Sequence, residues 1–136
     1  MDESATEIRV RYAETDRMGR AHHTHHLTWC EAGRTEWLRE RGIAYADLEA
    51  EGVFLPVSRV EVDYRRPAAY DETVRVETWP SEVKSRTVTF RYRLSLRDAG
   101  ELVARAETRL VCVDADGRIR RLPPSVRSVV EGAAST

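Results

Sequence analysis

Two periodicities divide the chain. Over residues 54–114 apolar side chains recur at every second position, whereas over residues 23–41 they recur at steps of three and four. In the later region Val60, Val62 and Tyr64 alternate with Arg59, Glu61, Asp63 and Arg65, and Val74 and Val76 alternate with Arg75 and Glu77. Val88, Phe90, Tyr92, Leu94 and Leu96 alternate with Thr87, Thr89, Arg91, Arg93, Ser95 and Arg97, which predicts a long strand with one apolar and one wet face. Asp98-Ala99-Gly100 reads as a hairpin turn into a strand over 101–114. That strand shows Leu102, Ala104, Ala106 and Leu110 on one face and Val103, Val111 and Val113 on the other. Asp116-Gly117 turns the chain again, and Pro123-Pro124 opens a short helix over 125–131.

In the earlier region Ile8, Val10 and Tyr12 alternate with Arg9 and Arg11, giving a first strand over 7–13 that the Asp16–Gly19 turn ends. The helix over 23–41 places Leu27, Cys30, Trp37 and Leu38 on one side, with Glu31, Glu36, Arg39 and Glu40 on much of the rest. Cys30, Ala32 and Gly33 would let a sheet approach this helix closely, at a propensity cost of about 1 kcal/mol for the glycine. Gly42 supplies a left-handed stop, and a second helix over 45–51 ends at Gly52. One amphipathic helix and one half-wet antiparallel sheet bury each other most simply face to face, so the expected fold is an α+β domain. Residues 1–136 form one such domain, with fraying expected at 1–5 and 132–136.

Charge narrows the function. The chain carries 22 basic and 23 acidic residues, which leaves no basic field for nucleic acid or an anionic membrane. Cys30 and Cys112 lack paired spacing and read as small core residues. There is no cationic, apolar leader and no run long enough to span a membrane, so a soluble, cytoplasmic protein is expected.

The candidate chemistry lies where the turn Thr15-Asp16-Arg17-Met18-Gly19 runs into His22, His23, His25 and His26 and the start of the long helix. This order brings a carboxylate near a helix N-terminus, where main-chain N–H groups and the helix dipole favour negative charge. Alone, Asp16 reads first as a turn or capping aspartate. His22 and His26 share a helical spacing, but no third ligand stands at zinc spacing, so no metal is expected. Glu31 and Arg34 lie in mid-helix and read first as structural charges, with Glu31 also a possible second carboxylate near the pocket.

The pattern Y-x-E-T-D-x-M-G, H-x-x-x-L-x-W, E-x-x-R-T-E-W-L, Y-x-x-P-A-x-Y-D-E and V-C-V-D-x-D-G-R-x-R-x-L-P resembles the 4-hydroxybenzoyl-CoA thioesterase family of hot-dog-fold enzymes. Within that family it is most similar to the acyl-CoA thioesterases associated with the Tol-Pal system. The resemblance implies a long central helix wrapped by a curved antiparallel sheet of five or six strands. It also implies homodimers that join sheets edge to edge, often as dimers of dimers, with a site at the subunit interface. The implied activity is hydrolysis of acyl-CoA without a bound cofactor, coenzyme A being part of the substrate. Asp16, on the Asp16–Gly19 turn, would act as general base or nucleophile. The main-chain N–H at His23 would polarise the thioester carbonyl.

The relatives usually carry Tyr-His-x-Asn-Tyr where this chain has His22-His23-Thr24-His25-His26. Lys84, Ser85, Arg86 and Thr87 are implied contacts to the coenzyme A phosphates and pantetheine, and they also suit an ordinary solvated strand end. Phe54, Leu55, Pro56 and Val57 suit an acyl slot, although core packing explains them as well. The alternative function is a non-catalytic hot-dog module that binds an acyl thioester or a partner protein.

Overall fold

The computed structural model describes residues 4–134. Five strands, β1 (Ser4–Arg9), β2 (Val57–Tyr64), β3 (Thr73–Val83), β4 (Thr87–Leu96) and β5 (Leu102–Val111), form one sheet in the order β1-β3-β4-β5-β2. Every pairing is antiparallel. Three helices complete the domain: α1 (His25–Glu40), α2 (Tyr45–Ala50) and α3 (Pro124–Ala134). β1 and β2 occupy opposite edges of the sheet, and α1 lies between them in sequence, so the chain that contains α1 must cross from one edge to the other.

The first strand sits earlier than its alternation suggests. β1 ends at Arg9, and residues Tyr12–Glu14 form a 3-10 turn instead of continuing the strand to position 13. The cause is Glu14, which is only 3% exposed. Its Oε1 accepts from the Arg11 main-chain N–H at 2.8 Å, and its Oε2 accepts from the Trp29 indole at 3.0 Å. Two charge-assisted bonds to one buried carboxylate outweigh the preference of this segment for extended backbone. At the ends, Ser4 and Ala5 pair with Thr78 and Glu77, and residues 132–134 belong to α3. The other positions expected to fray, 1–3 and 135–136, lie outside the described residues.

The core lies between α1 and the inner face of the sheet. Trp29, Trp37, Phe90, Tyr92, Leu38, Leu94 and Leu110 are its largest fully buried side chains. Burying each one contributes roughly 1.5–3 kcal/mol. The buried stripe of α1 consists of His26, Trp29, Cys30, Gly33, Arg34, Trp37 and Leu38. Leu27, expected on this face, is half-buried, while His26, bonded to the His23 carbonyl, and Arg34, bonded to distant Tyr92 and Thr108, take inward positions. Gly33 permits the close approach expected of it: a Cβ there would stand 2.6 Å from Thr78 Oγ1 and 2.9 Å from Val76 Cγ1.

Arg34 crosses the core as a polar bolt. Its Nε–H donates to the Tyr45 hydroxyl at 2.9 Å, and its Nη1 donates to the Tyr92 hydroxyl at 3.1 Å and to Thr108 Oγ1 at 3.4 Å. Thr108 thus joins Ala104, Ala106 and Leu110 on the inner face of β5. The strong alternation of β4 matches its buried and exposed positions over residues 90–94. β2 behaves differently. Its alternation predicts one dry face, yet seven of its eight residues are exposed and Val62 alone is half-buried, since an edge strand has no neighbour on its outer side.

Candidate active site

Residues 14–23 fold into a narrow loop that carries the turn back alongside itself. Thr15 and Ala21 form an antiparallel bridge, the His22 N–H donates to the Glu14 carbonyl at 2.8 Å, and the Asp16 N–H donates to the Arg20 carbonyl at 2.8 Å. Gly19 sits at φ 74°, a left-handed conformation that glycine adopts without strain, and its N–H donates to the Asp16 carbonyl at 3.0 Å. Asp16 therefore heads a tight turn, and His23 follows directly on the returning arm.

The two oxygens of Asp16 have different tasks. Oδ1 accepts from the Met18 N–H at 2.8 Å and from the Arg20 N–H at 3.4 Å. Among the described residues Oδ2 has no hydrogen-bond partner. One oxygen is thus fixed by the turn while the other is left without a partner among the described residues. In the single chain the carboxylate is exposed to solvent.

His23 lies just before α1, where the first N–H groups of a helix lack partners within the helix. Among the described residues its main-chain N–H has no acceptor. Its carbonyl, by contrast, is held twice: Tyr64 Oη donates to it at 2.7 Å and His26 Nδ1 at 3.2 Å. The Tyr64 ring meets the edges of His26 and His23 at centroid distances of 4.9 and 6.3 Å. His26 in turn rests against Trp29 at 4.7 Å. Trp29 bonds to Glu14, so a continuous chain of contacts joins the acid-bearing loop to the helix start.

The charges within this chain are set by the fold. Burial, opposed by hydrogen bonds to the His23 and His22 main chain, pushes the His26 imidazole below its ordinary range and keeps it neutral. Burial alone would raise the Glu14 carboxyl, but the Arg11 N–H, the Trp29 indole and the charges of Arg11 and His25 outweigh it and lower it. Burial raises the Tyr64 phenol, which stays a donor at neutral pH. Burial likewise pushes the Cys30 thiol up to about 12, so this inward thiol is inert.

The remaining expected site residues lie on other elements. Phe54, Leu55 and Pro56 line a cavity of about 450 Å3 together with Glu31, Arg34, Tyr45, Glu49 and Val53. Val57 stands outside that lining, exposed at the start of β2. Lys84, Ser85 and Arg86 form the turn between β3 and β4, closed by the Lys84 N–H donating to the Thr87 carbonyl at 2.9 Å. Lys84 Nζ pairs with Glu82 at 3.3 Å. No hydrogen bond or ion pair among the described residues ties either segment to the Asp16 turn. Sequence reading missed Glu14 and Tyr64 as parts of the site. Glu14 stands two residues before Asp16, but its partner Trp29 lies 15 positions away; Tyr64 meets His23 across 41 positions. The His22 ring contacts His23 and His25, His23 and His26 meet Tyr64, His26 also meets Trp29, and no described group of His, Cys, Asp and Glu side chains forms a metal cage.

A long helix against a five-stranded antiparallel sheet, with an acidic turn leading into the helix start, defines a hot-dog domain of the thioesterase type. The sequence profile of the Thioesterase-like superfamily matches residues 10–130, and the chain belongs to that superfamily. It is 40% identical over 114 residues to the putative acyl-CoA thioesterase YneP of Bacillus subtilis, covering 84% of this chain and 82% of that protein. It is 31% identical over 120 residues to the acyl-CoA thioester hydrolase YbgC of Escherichia coli, covering 88% and 89% of the two chains. The crystal structure of DHNA-CoA thioesterase from Staphylococcus aureus superimposes with a TM-score of 0.91 at 33% identity, over 96% of this chain and 89% of that one.

Proposed function

We propose that this protein is an enzyme that hydrolyses acyl-CoA thioesters at the Asp16 turn, releasing a free acid and coenzyme A. The observation that carries the proposal is a free carboxylate oxygen and an unused main-chain N–H on the same tight loop, the second at the mouth of α1. Asp16 Oδ2 either takes a proton from water as water attacks the acyl carbon, or attacks that carbon itself to form an acyl-aspartyl anhydride, which water then hydrolyses to release the acid and restore the carboxylate. In both routes the carbonyl oxygen gains charge, the C–S bond breaks and the coenzyme A sulfur leaves as thiolate. The His23 N–H, assisted by the helix dipole, stabilises the transient oxyanion. Curated relatives named as acyl-CoA thioesterases or hydrolases support this reading.

The exposed setting of Asp16 calls for a cover. Tyr12, Met18 and Tyr70 are 78%, 74% and 55% exposed beside the turn, with the Tyr70 N–H donating to the Gly19 carbonyl at 3.1 Å. A second copy joined through the free edge of β2 would bury such surface and close the site, so a homodimer is part of the proposal, with pairing of dimers as its extension. Phe54, Leu55 and Pro56 form the acyl wall in this reading, and Lys84 and Arg86 meet the coenzyme A phosphates. The buried free thiols of Cys30 and Cys112 suit a reducing cytoplasm.

Release of free thiol from a panel of aliphatic and aromatic acyl-CoAs tests the activity. Asp16→Asn should lower kcat by at least about a hundredfold while the melting temperature is kept, the scale expected when an activating group or its oxyanion partner is removed. Tight acyl-CoA binding without thiol release by the unaltered protein would favour a binding module.

A further inference from the structure

We infer that Tyr64 is a positioning residue that aims the His23 main-chain N–H. This inference rests on the proposal that the N–H polarises a thioester carbonyl. The peptide carrying it joins His22 to His23, ahead of the first residue of α1, and the helix start holds it by one bond only, from the His25 N–H to the His22 carbonyl at 3.1 Å. Two further anchors bracket it. Upstream, the His22 N–H donates to the Glu14 carbonyl at 2.8 Å. Downstream, the His23 carbonyl accepts from Tyr64 Oη at 2.7 Å and from His26 Nδ1 at 3.2 Å. Between the anchors only a few torsions remain, and they set the direction of the N–H.

The Tyr64 bond is the shorter of the two downstream, and it comes from a different element. His26 stands on α1 three residues from His23 and moves with the helix. Tyr64 terminates β2 and reaches across 41 positions, so it alone ties the loop to the sheet at this carbonyl. Its ring also flanks His26 edge-on at 4.9 Å, which limits the swing of the second donor. Removing the hydroxyl leaves the ring contacts and the bonds from His25 and His26, but cuts the tie of this loop carbonyl to the sheet and loosens the peptide. An oxyanion donor works only when held in the reacting geometry, and misplacement by about 1 Å costs up to roughly a hundredfold in rate.

The test is Tyr64→Phe in the full-length protein, assayed by thiol release on an acyl-CoA that the unaltered protein hydrolyses. The ring is 44% exposed at a strand end, so loss of one oxygen there should leave the fold intact, as the melting temperature will report. The expected result is a fall in kcat of roughly ten- to a hundredfold with KM changed by less than about twofold. The pH profile should keep its shape, because Tyr64 neither gives nor takes a proton. An unchanged kcat, a rise in KM alone, or a variant that no longer folds would each overturn the inference. Absence of turnover in the unaltered protein would instead overturn the hydrolase proposal on which it rests.

Discussion

Glu14 keeps its charge inside the fold because the Arg11 N–H and the Trp29 indole replace the water it loses. Its carboxyl titrates below its ordinary 4.5 in the folded chain. A lowered acid contributes stability that is complete above the unfolded value and disappears as pH falls through the folded one. Glu14→Gln should therefore be less stable than the unaltered protein at neutral pH, by about 1–3 kcal/mol, and the gap should narrow as pH falls below 4.5. Denaturation curves from pH 3 to 8 check this. A gap that does not narrow below 4.5 would mean that charge is not the source. His26 acts in the same direction in a higher window: its lowered pKa makes the neutral ring stabilising above 6.5, with a loss as pH falls below that value. Asp16, Gly19 and His23 were legible as site candidates because they stand close together in sequence. The Glu14–Trp29 and Tyr64–His23 bonds were not, since nothing local marks a partner so far along the chain.

At the scale of elements, α1 and β3 touch through Gly33. A methyl group there would collide with Thr78 Oγ1 and Val76 Cγ1, atoms on stiff β-branched side chains in mid-strand. Gly33→Ala should destabilise the protein by about 1–3 kcal/mol, although alanine is the better helix former by roughly 1 kcal/mol. Chemical denaturation measures the loss, and Gly33→Ala combined with Thr78→Ala should recover part of it. The free edge of β2 is the other informative element. If two copies pair antiparallel about Val60, Arg59 of one faces Glu61 of the other, a favourable cross-strand pair made twice. Val60→Lys would set two ammonium groups against each other at the centre; on the proposed pairing, sedimentation should show dimers for the unaltered protein and single chains for this variant. The strong alternation of β4 and the three- to four-residue steps of α1 were readable because one face of each meets the core. The burial of α1 was misread at Leu27, and that of β2 along its length, because tertiary partners and sheet position, not local sequence, decide them.

For the whole molecule, the α+β architecture followed from the change of period, and the likeness to thioesterases followed from motifs spread along most of the chain. What sequence did not disclose was how the parts are fastened. Arg34 links α1 to β4 and β5 through Tyr92 and Thr108, and to α2 through Tyr45. Glu14 fastens the acidic loop to α1. Tyr64, last residue of β2, holds the entrance of α1 from the sheet margin. If two copies join through β2 as proposed, that margin is also the seam, and competence would be shared between twins. As a preparation is diluted below the point where twins separate, each chain should slow before it melts, and turnover per chain should recover on concentration.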